Sequence, residues 1–259
     1  MEGVFSKMCR LMGYVSQMGY VSQSESSFPA QVGKDFDEFI ALSSVHCDGW
    51  GISTNDRAQA HVVLEKKVEA AAQSATFQKV IADNAADGAL LHLRWATKGI
   101  SISENNTHPF VYGDYSFIHN GSIFPPDCFS DFIDEKFKKL LVDDSDSERY
   151  FYLMMTQIEK LGLADGIKTT LSIIKEHGKT TSLNFMLMNN ESFVVGSEHN
   201  SEKKPDWAPD DYYVIKYKKN AEGVLFASSG WNQPGWSVLE NHHAAIVNRS
   251  TFEIEVINL

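Results

Sequence analysis

"MCRLMGYVSQMGYVSQ", Met8 to Gln23, is the stretch on which the fold turns. Leu11 to Ser16 reads as a short strand. Cys9 stands just ahead of it, directly after a methionine, and the hexapeptide Met12 to Gln17 recurs letter for letter as Met18 to Gln23. A lone cysteine is ordinarily a small buried hydrophobe. The other reading needs an activated thiol. An N-terminal cysteine carries its own base, because an α-amine with a pKa of about 7.7–8.0 can take the thiol proton directly or through water. That chemistry requires residues 1–8 to be gone, by removal or by translation from Met8 with loss of the initiator. The duplication is a single local event, since a solenoid needs at least three longer units. Only its first copy is in register with Cys9, so the second is expected to be extra loop or to lengthen the strand.

Working outward, the 259 residues suffice for a sizeable core. Hydrophobic residues make up 43% and charged residues 22%, which places the chain among soluble globular proteins. The net charge of -11, with no basic run interleaved with aromatics, argues against nucleic-acid binding. Three cysteines at irregular spacing give no disulfide framework and suit a reducing compartment. "MEGVFSKM" lacks the apolar run of a signal peptide. No segment approaches the roughly 20 apolar residues of a membrane span. A cytoplasmic protein with no membrane association is expected.

The pattern of elements is strands flanking a central block of helices. "GWGIST" and "AHVVLEK" read as a hairpin about Asn55-Asp56, and "GALLHLRWAT" as a buried strand. "YSFIHNG" reads as a strand ending in a tight Asn-Gly turn. Helices are expected over Asp35 to Ser43, Ala70 to Asn84, Asp127 to Leu141, Ser147 to Leu161 and Ala164 to Glu176, with Asp146 and Ser147 as caps for the fourth. Six further strands follow, and "SEHNSEKKPDWAPDD" is a long polar loop. Antiparallel hairpins without regular βαβ alternation make this an α+β chain. No linker divides it, so residues 9–259 are expected to form one domain behind a leader at 1–8.

Several constellations carry chemistry. Arg94, in "HLRWAT", must meet an anion, because an unpaired buried charge is very costly. The partner is either one of the 34 acidic residues or a substrate carboxylate gripped by the guanidinium fork. Asn120 and Gly121, in "IHNGS", form a turn in one reading. In the other they offer a side-chain amide and an approachable backbone N–H to an oxyanion. Asp146 serves as a helix cap and also as a receptor for an ammonium group. The glycines around Trp50 in "HCDGWG" signal a close backbone approach or a tight start to the strand. His46, Cys47, His92, His108 and His119 match no usual zinc-ligand spacing, so no metal is expected. No cofactor is expected either.

Cys9-Arg10-Leu11, "HCDGWG", "HLRWAT", "NTHPF", "HNG" and "DSE", in this order, resemble the class II glutamine amidotransferases, most of all the stand-alone bacterial type. The resemblance runs from Cys9 to about Leu161 and is weaker beyond, although "VLFASSGW" fits a late strand of the family. It implies the N-terminal nucleophile hydrolase fold, a four-layer αββα sandwich with two antiparallel sheets. It also implies roles: Cys9 as nucleophile with its freed α-amine as base, and Asn120 and Gly121 as oxyanion hole. Arg94, helped by Thr97, would clamp the α-carboxylate, and Asp146 would hold the α-ammonium. Trp95 and His108 would belong to the substrate pocket. One departure is Lys98, where many members carry histidine after the "RWAT" run.

The expected activity is hydrolysis of the side-chain amide of glutamine, or of a related γ-glutamyl amide, through a Cys9 thioester. Ammonia or an amine would be released, with transfer requiring a partner synthase. The alternative is a catalytically silent ligand-binding or regulatory module, which follows if the leader is retained, because an acylated Cys9 nitrogen is no base. The sequence carries no signal for oligomeric state.

Overall fold

The computed structural model describes residues 8–17, 32–57, 61–83, 86–96, 101–142 and 144–259. The second copy of the hexapeptide, Thr97 and Lys98 lie outside the described residues, as do residues 1–7 of the leader.

The elements run β1 (Arg10–Ser16), α1 (Lys34–Ala41), β2 (Gly49–Asn55), β3 (Val62–Lys67), α2 (Ala75–Asp83), β4 (Gly88–Arg94), β5 (Phe110–Tyr112) and β6 (Tyr115–Phe124). Then come α3 (Glu135–Lys138), α4 (Asp146–Leu161), α5 (Leu163–His177), β7 (Lys179–Met188), β8 (Ser192–Ser197), β9 (Ile215–Lys219), β10 (Gly223–Ser228), β11 (Ser237–Leu239), β12 (His243–Asn248) and β13 (Ile254–Asn258). The strands build two antiparallel sheets. One has the order β11-β9-β10-β1-β4-β2-β3, the other β13-β12-β8-β7-β6-β5.

Alternation along the strands explains the layers. On β1, Leu11 and Val15 point to the space between the sheets, where they pack with Leu90, Ile118, Met186, Phe193 and Phe226. Met12 and Tyr14 point the other way, into a second core with Phe36 and Phe39 of α1 and Phe77 and Ile81 of α2. A third core joins Phe117 of β6 and Phe185 of β7 to Tyr150 and Phe151 of α4 and Leu171 and Ile174 of α5. The result is the expected αββα sandwich. β1 is buried on both faces, which is why its residues read as a near-continuous apolar run.

Three local expectations are corrected. Asn120-Gly121 is not a turn: β6 runs through it to Phe124, paired with β7 at Asn120↔Asn184 and Gly121↔Leu183, and its register shifts only between Gly121 and Ile123. The helix expected over Asp127 to Leu141 is a 3₁₀ turn at Ser130–Phe132 followed by the single-turn α3. The cap of α4 is Ser145, whose side chain accepts from the Ser147 N–H at 3.2 Å, so Asp146 is the first helical residue. Two short strands, β5 and β11, escaped the sequence reading.

Candidate functional site

The expected site residues converge at one end of the sandwich. Arg94 ends β4 on the same face as Leu90, between the sheets, and Asn120 shares the inward face of β6 with Ile118. Cys9 immediately precedes β1, which pairs with β4 at Arg10↔Leu93. The Cys9 thiol donates to the Trp95 carbonyl at 3.9 Å. Burial pushes this thiol up. A hydrogen bond donated to the sulfur from the Trp95 backbone and the charges of Arg94 and Arg10 draw it back down, and the charge of Asp146 raises it. Cys9 thus lies in electrostatic reach of Arg94 and Asp146 together, and as a protonated thiol it needs a base to react.

Arg94 is buried. Its Nη2 donates to the Ser101 carbonyl at 2.9 Å, and its Nη1 reaches the Ser103 carbonyl and Thr107 Oγ1, each at 3.5 Å. The loop residues Ser101 to Thr107 therefore fold over the guanidinium. The "HCDGWG" segment braces this loop from the other side: the Asp48 carboxylate accepts from the Ala96 N–H at 2.8 Å, and the Asp48 N–H donates to the Arg94 carbonyl at 3.1 Å. Both readings of its glycines hold. Gly49 has φ of 155°, and a Cβ on Gly51 would lie 2.0 Å from the His108 carbonyl oxygen.

Asn120 is buried, and among the described residues its Oδ1 has no hydrogen-bond partner. A Cβ on Gly121 would fall 1.8 Å from the Ser182 carbonyl oxygen, so only glycine fits. Just beyond, the Ile123 N–H donates to Asp146 Oδ2 at 2.7 Å. That bond ties the start of α4 to β6 and so fixes Asp146 relative to Asn120 and Gly121. The Ser147 hydroxyl lies 3.1 Å from Asp146 Oδ1, and His119 Nδ1 lies 2.9 Å from the same hydroxyl. His119 Nε2 donates to the Ser182 carbonyl at 3.2 Å.

His108 lies beneath these groups, its ring 4.3 Å from that of His92 and 6.4 Å from that of His119. Burial holds His108 well below the usual histidine range, and holds His92 and His46 down to about 3. These rings are neutral at pH 7. Among the described residues no group of three or more His, Cys, Asp or Glu could hold a metal ion.

Sequence reasoning passed over several participants. Arg10 is buried, donates from Nη1 to the Cys9 carbonyl at 3.1 Å and lies over the Tyr212 ring. His46 and His119 stood within quoted motifs and were weighed only as metal ligands. Tyr212 falls in "YYVIKY", one of the strands expected from the sequence, but β9 begins only at Ile215 and Tyr212 lies in the turn before it. Asn184 had no local signal; its Nδ2 donates to the Tyr213 carbonyl at 2.6 Å from the strand facing Asn120.

Two facing antiparallel sheets clad in helices, with a cysteine opening a central strand, define the N-terminal nucleophile hydrolase architecture. The model of the class-II glutamine amidotransferases matches residues 8–203, and the chain belongs to that family. It is similar to the probable glutamine amidotransferase DUG3 of Saccharomyces cerevisiae, 20% identical over 96% of this chain and 84% of that protein. Among solved structures, a glutamine aminotransferase class-II domain protein from Silicibacter pomeroyi matches with a TM-score of 0.65 at 17% identity, covering 96% of this chain and 99% of that one. The glutamine phosphoribosylpyrophosphate amidotransferase of B. subtilis matches with a TM-score of 0.63 at 17% identity, over 96% of this chain and 49% of that one. These structures share the fold. Among the described residues no helix is long and apolar enough to cross a membrane.

Proposed function

We propose that this chain hydrolyses the side-chain amide of glutamine, or of a related γ-glutamyl amide, through a thioester on Cys9. The observation that carries the reading is the half-buried Cys9 thiol at the head of β1, beside buried Arg94 at the end of β4, with buried Asp146 tied to β6 next to Asn120 and Gly121. Free glutamine is a zwitterion with a neutral amide several bonds from its charges. Its recognition needs one fixed cation, one fixed anion and a nucleophile set apart from both.

In this mechanism residues 1–8 are absent and the Cys9 α-amine takes the thiol proton. The thiolate attacks the amide carbon. The Asn120 amide and the Gly121 N–H stabilise the oxyanion. Arg94, with Thr97, holds the α-carboxylate, while Asp146 holds the α-ammonium through lone pairs left by Ile123 and Ser147. Trp95 and His108 shape the pocket. The Cys9 α-ammonium then protonates the leaving nitrogen, and water or an acceptor amine, the latter with a partner synthase, resolves the thioester.

Ammonia release from glutamine by the chain with N-terminal Cys9, set beside Cys9→Ala, tests this. The account expects activity in the first and none above background in the second. Equal release by both overturns it. A second reading has its own support: Met8, when attached, is fully buried. With Met8 retained the chain is a silent module.

A further inference from the structure

Met8 does not trail into solvent. Its side chain is 1% exposed and packs with Ala208, Tyr212 and Tyr213. The His46 ring hydrogen-bonds to the Met8 backbone. A chain of rings surrounds this place: His46 to Trp95 at 5.1 Å, Trp95 to Trp207 at 6.2 Å, Trp207 to Tyr212 at 5.5 Å, and Tyr212 to Tyr213 at 5.3 Å. The Tyr213 backbone is pinned by Asn184, and its hydroxyl donates to the Lys203 carbonyl at 3.2 Å. The pocket is thus built by braced residues, and apart from Trp95 the mechanism above uses none of its rings.

The direction of the leaving group leads into it. As the C–N bond breaks, the leaving nitrogen must sit within hydrogen-bond reach of the Cys9 nitrogen that protonates it. Arg94 and Asp146 hold the glutamyl half on one side. A substituent on the leaving nitrogen therefore extends past the Cys9 nitrogen, toward the space in which Met8 is bonded to that same atom. We infer that, once Cys9 is N-terminal, the Met8 pocket is the subsite for the amine half of an N-substituted γ-glutamyl amide, taking an apolar group about as long as a methionine side chain. The inference rests on the reading of Cys9 as nucleophile. The reaction balances as γ-glutamyl amide plus water to glutamate plus free amine. The Cys9 sulfur bonds to the carbonyl carbon, and the C–N bond breaks with the α-ammonium proton passing to the amine. Water then adds to the thioester, releasing glutamate and restoring the thiol.

The test uses the full folded chain carrying a protease site directly before Cys9, cut after folding and checked by intact mass. kcat/KM is measured for glutamine, γ-glutamyl methylamide and γ-glutamyl n-butylamide. Burial of three further methylenes is expected to favour the butylamide over the methylamide by about tenfold or more. Tyr213→Ala, which opens the pocket, and Ala208→Leu, which fills it, should each bring that ratio toward one. Should one variant fail to fold, the other carries the comparison. Glutamine hydrolysis with the butylamide no better than the methylamide overturns the subsite and leaves the nucleophile reading standing. Loss of turnover on all three amides overturns both.

Discussion

Two buried arginines mark the two ends of the sandwich, and they are held in different ways. Arg249, after β12, donates from Nη2 to Asp87 Oδ1 and to the Asn55 carbonyl, both at 2.7 Å, and from Nη1 to the Asn189 carbonyl at 2.5 Å. Asp87 directly precedes β4 and also pairs with Arg57. Arg249 therefore clasps the end of β2, the start of β4 and the turn between β7 and β8. Arg94, at the other end of β4, donates to the Ser101 and Ser103 carbonyls and to Thr107. The first arginine joins both sheets through a carboxylate of the protein. The second donates to neutral oxygens of Ser101, Ser103 and Thr107 beside the thiol, where the proposed function gives it the substrate α-carboxylate. On the proposed function, the same side chain at the two ends of β4 serves cohesion at one and recognition at the other.

The contrast breaks most visibly at the cohesive end. Arg249→Leu leaves Asp87 with Arg57 alone and strands two buried carbonyls, and should cost about 3–5 kcal/mol in denaturant unfolding. If it costs less than Arg94→Lys, the division between the ends is wrong. At the other end, Asn120→Ala should lower kcat about 10²–10³-fold, with little change in the unfolding midpoint. An unchanged kcat removes Asn120 from the oxyanion hole. Arg94→Lys keeps the charge but loses the fork, and should raise KM for glutamine about tenfold to a hundredfold with a smaller change in kcat. An unchanged KM would return Arg94 to a structural role.

Taken per unit of pH, the smallest effect concerns acid. His46 and His92 crowd the Cys9 end with folded pKa values held down to about 3, by burial first and then by Arg10 and Arg94 respectively. In the unfolded chain they titrate near 6.5. Below that pH the unfolded state binds more protons. Their contribution is fully present above about pH 6.5 and falls as pH drops toward 3, by up to about 1.4 kcal/mol per pH unit for each ring. His92→Asn should flatten the fall in unfolding free energy below pH 6.5, and an unaltered slope would mean that His92 is not held neutral.

The sandwich was legible because its signals are local: apolar runs in β1 and β4, and helical spacing in α4 and α5. Asn120-Gly121 misled for the same reason. Asn-Gly is the strongest short-range turn signal, and only the pairing with Asn184 and Leu183, more than sixty positions away, keeps β6 extended through it. "PPDCFSDFIDEKFKKLL" has helical apolar spacing, yet its Ile133 and Phe137 are buried by a 3₁₀ turn and one helical turn against α4. Asp146 was expected as a cap because a carboxylate there suits a helix start. Its actual partner, the Ile123 N–H, comes from another element. The Met8 pocket was invisible, since Ala208 lies in a loop whose composition reads as polar and Tyr212 and Tyr213 read as the start of a strand.

The central claim is that the Cys9 nitrogen must be free. Intact mass paired with a glutaminase assay tests it directly, on one preparation that begins at Cys9 and on another that retains Met8. The account predicts ammonia release from glutamine only where the mass shows Cys9 as residue one. Equal turnover by the Met8-retaining protein would contradict it.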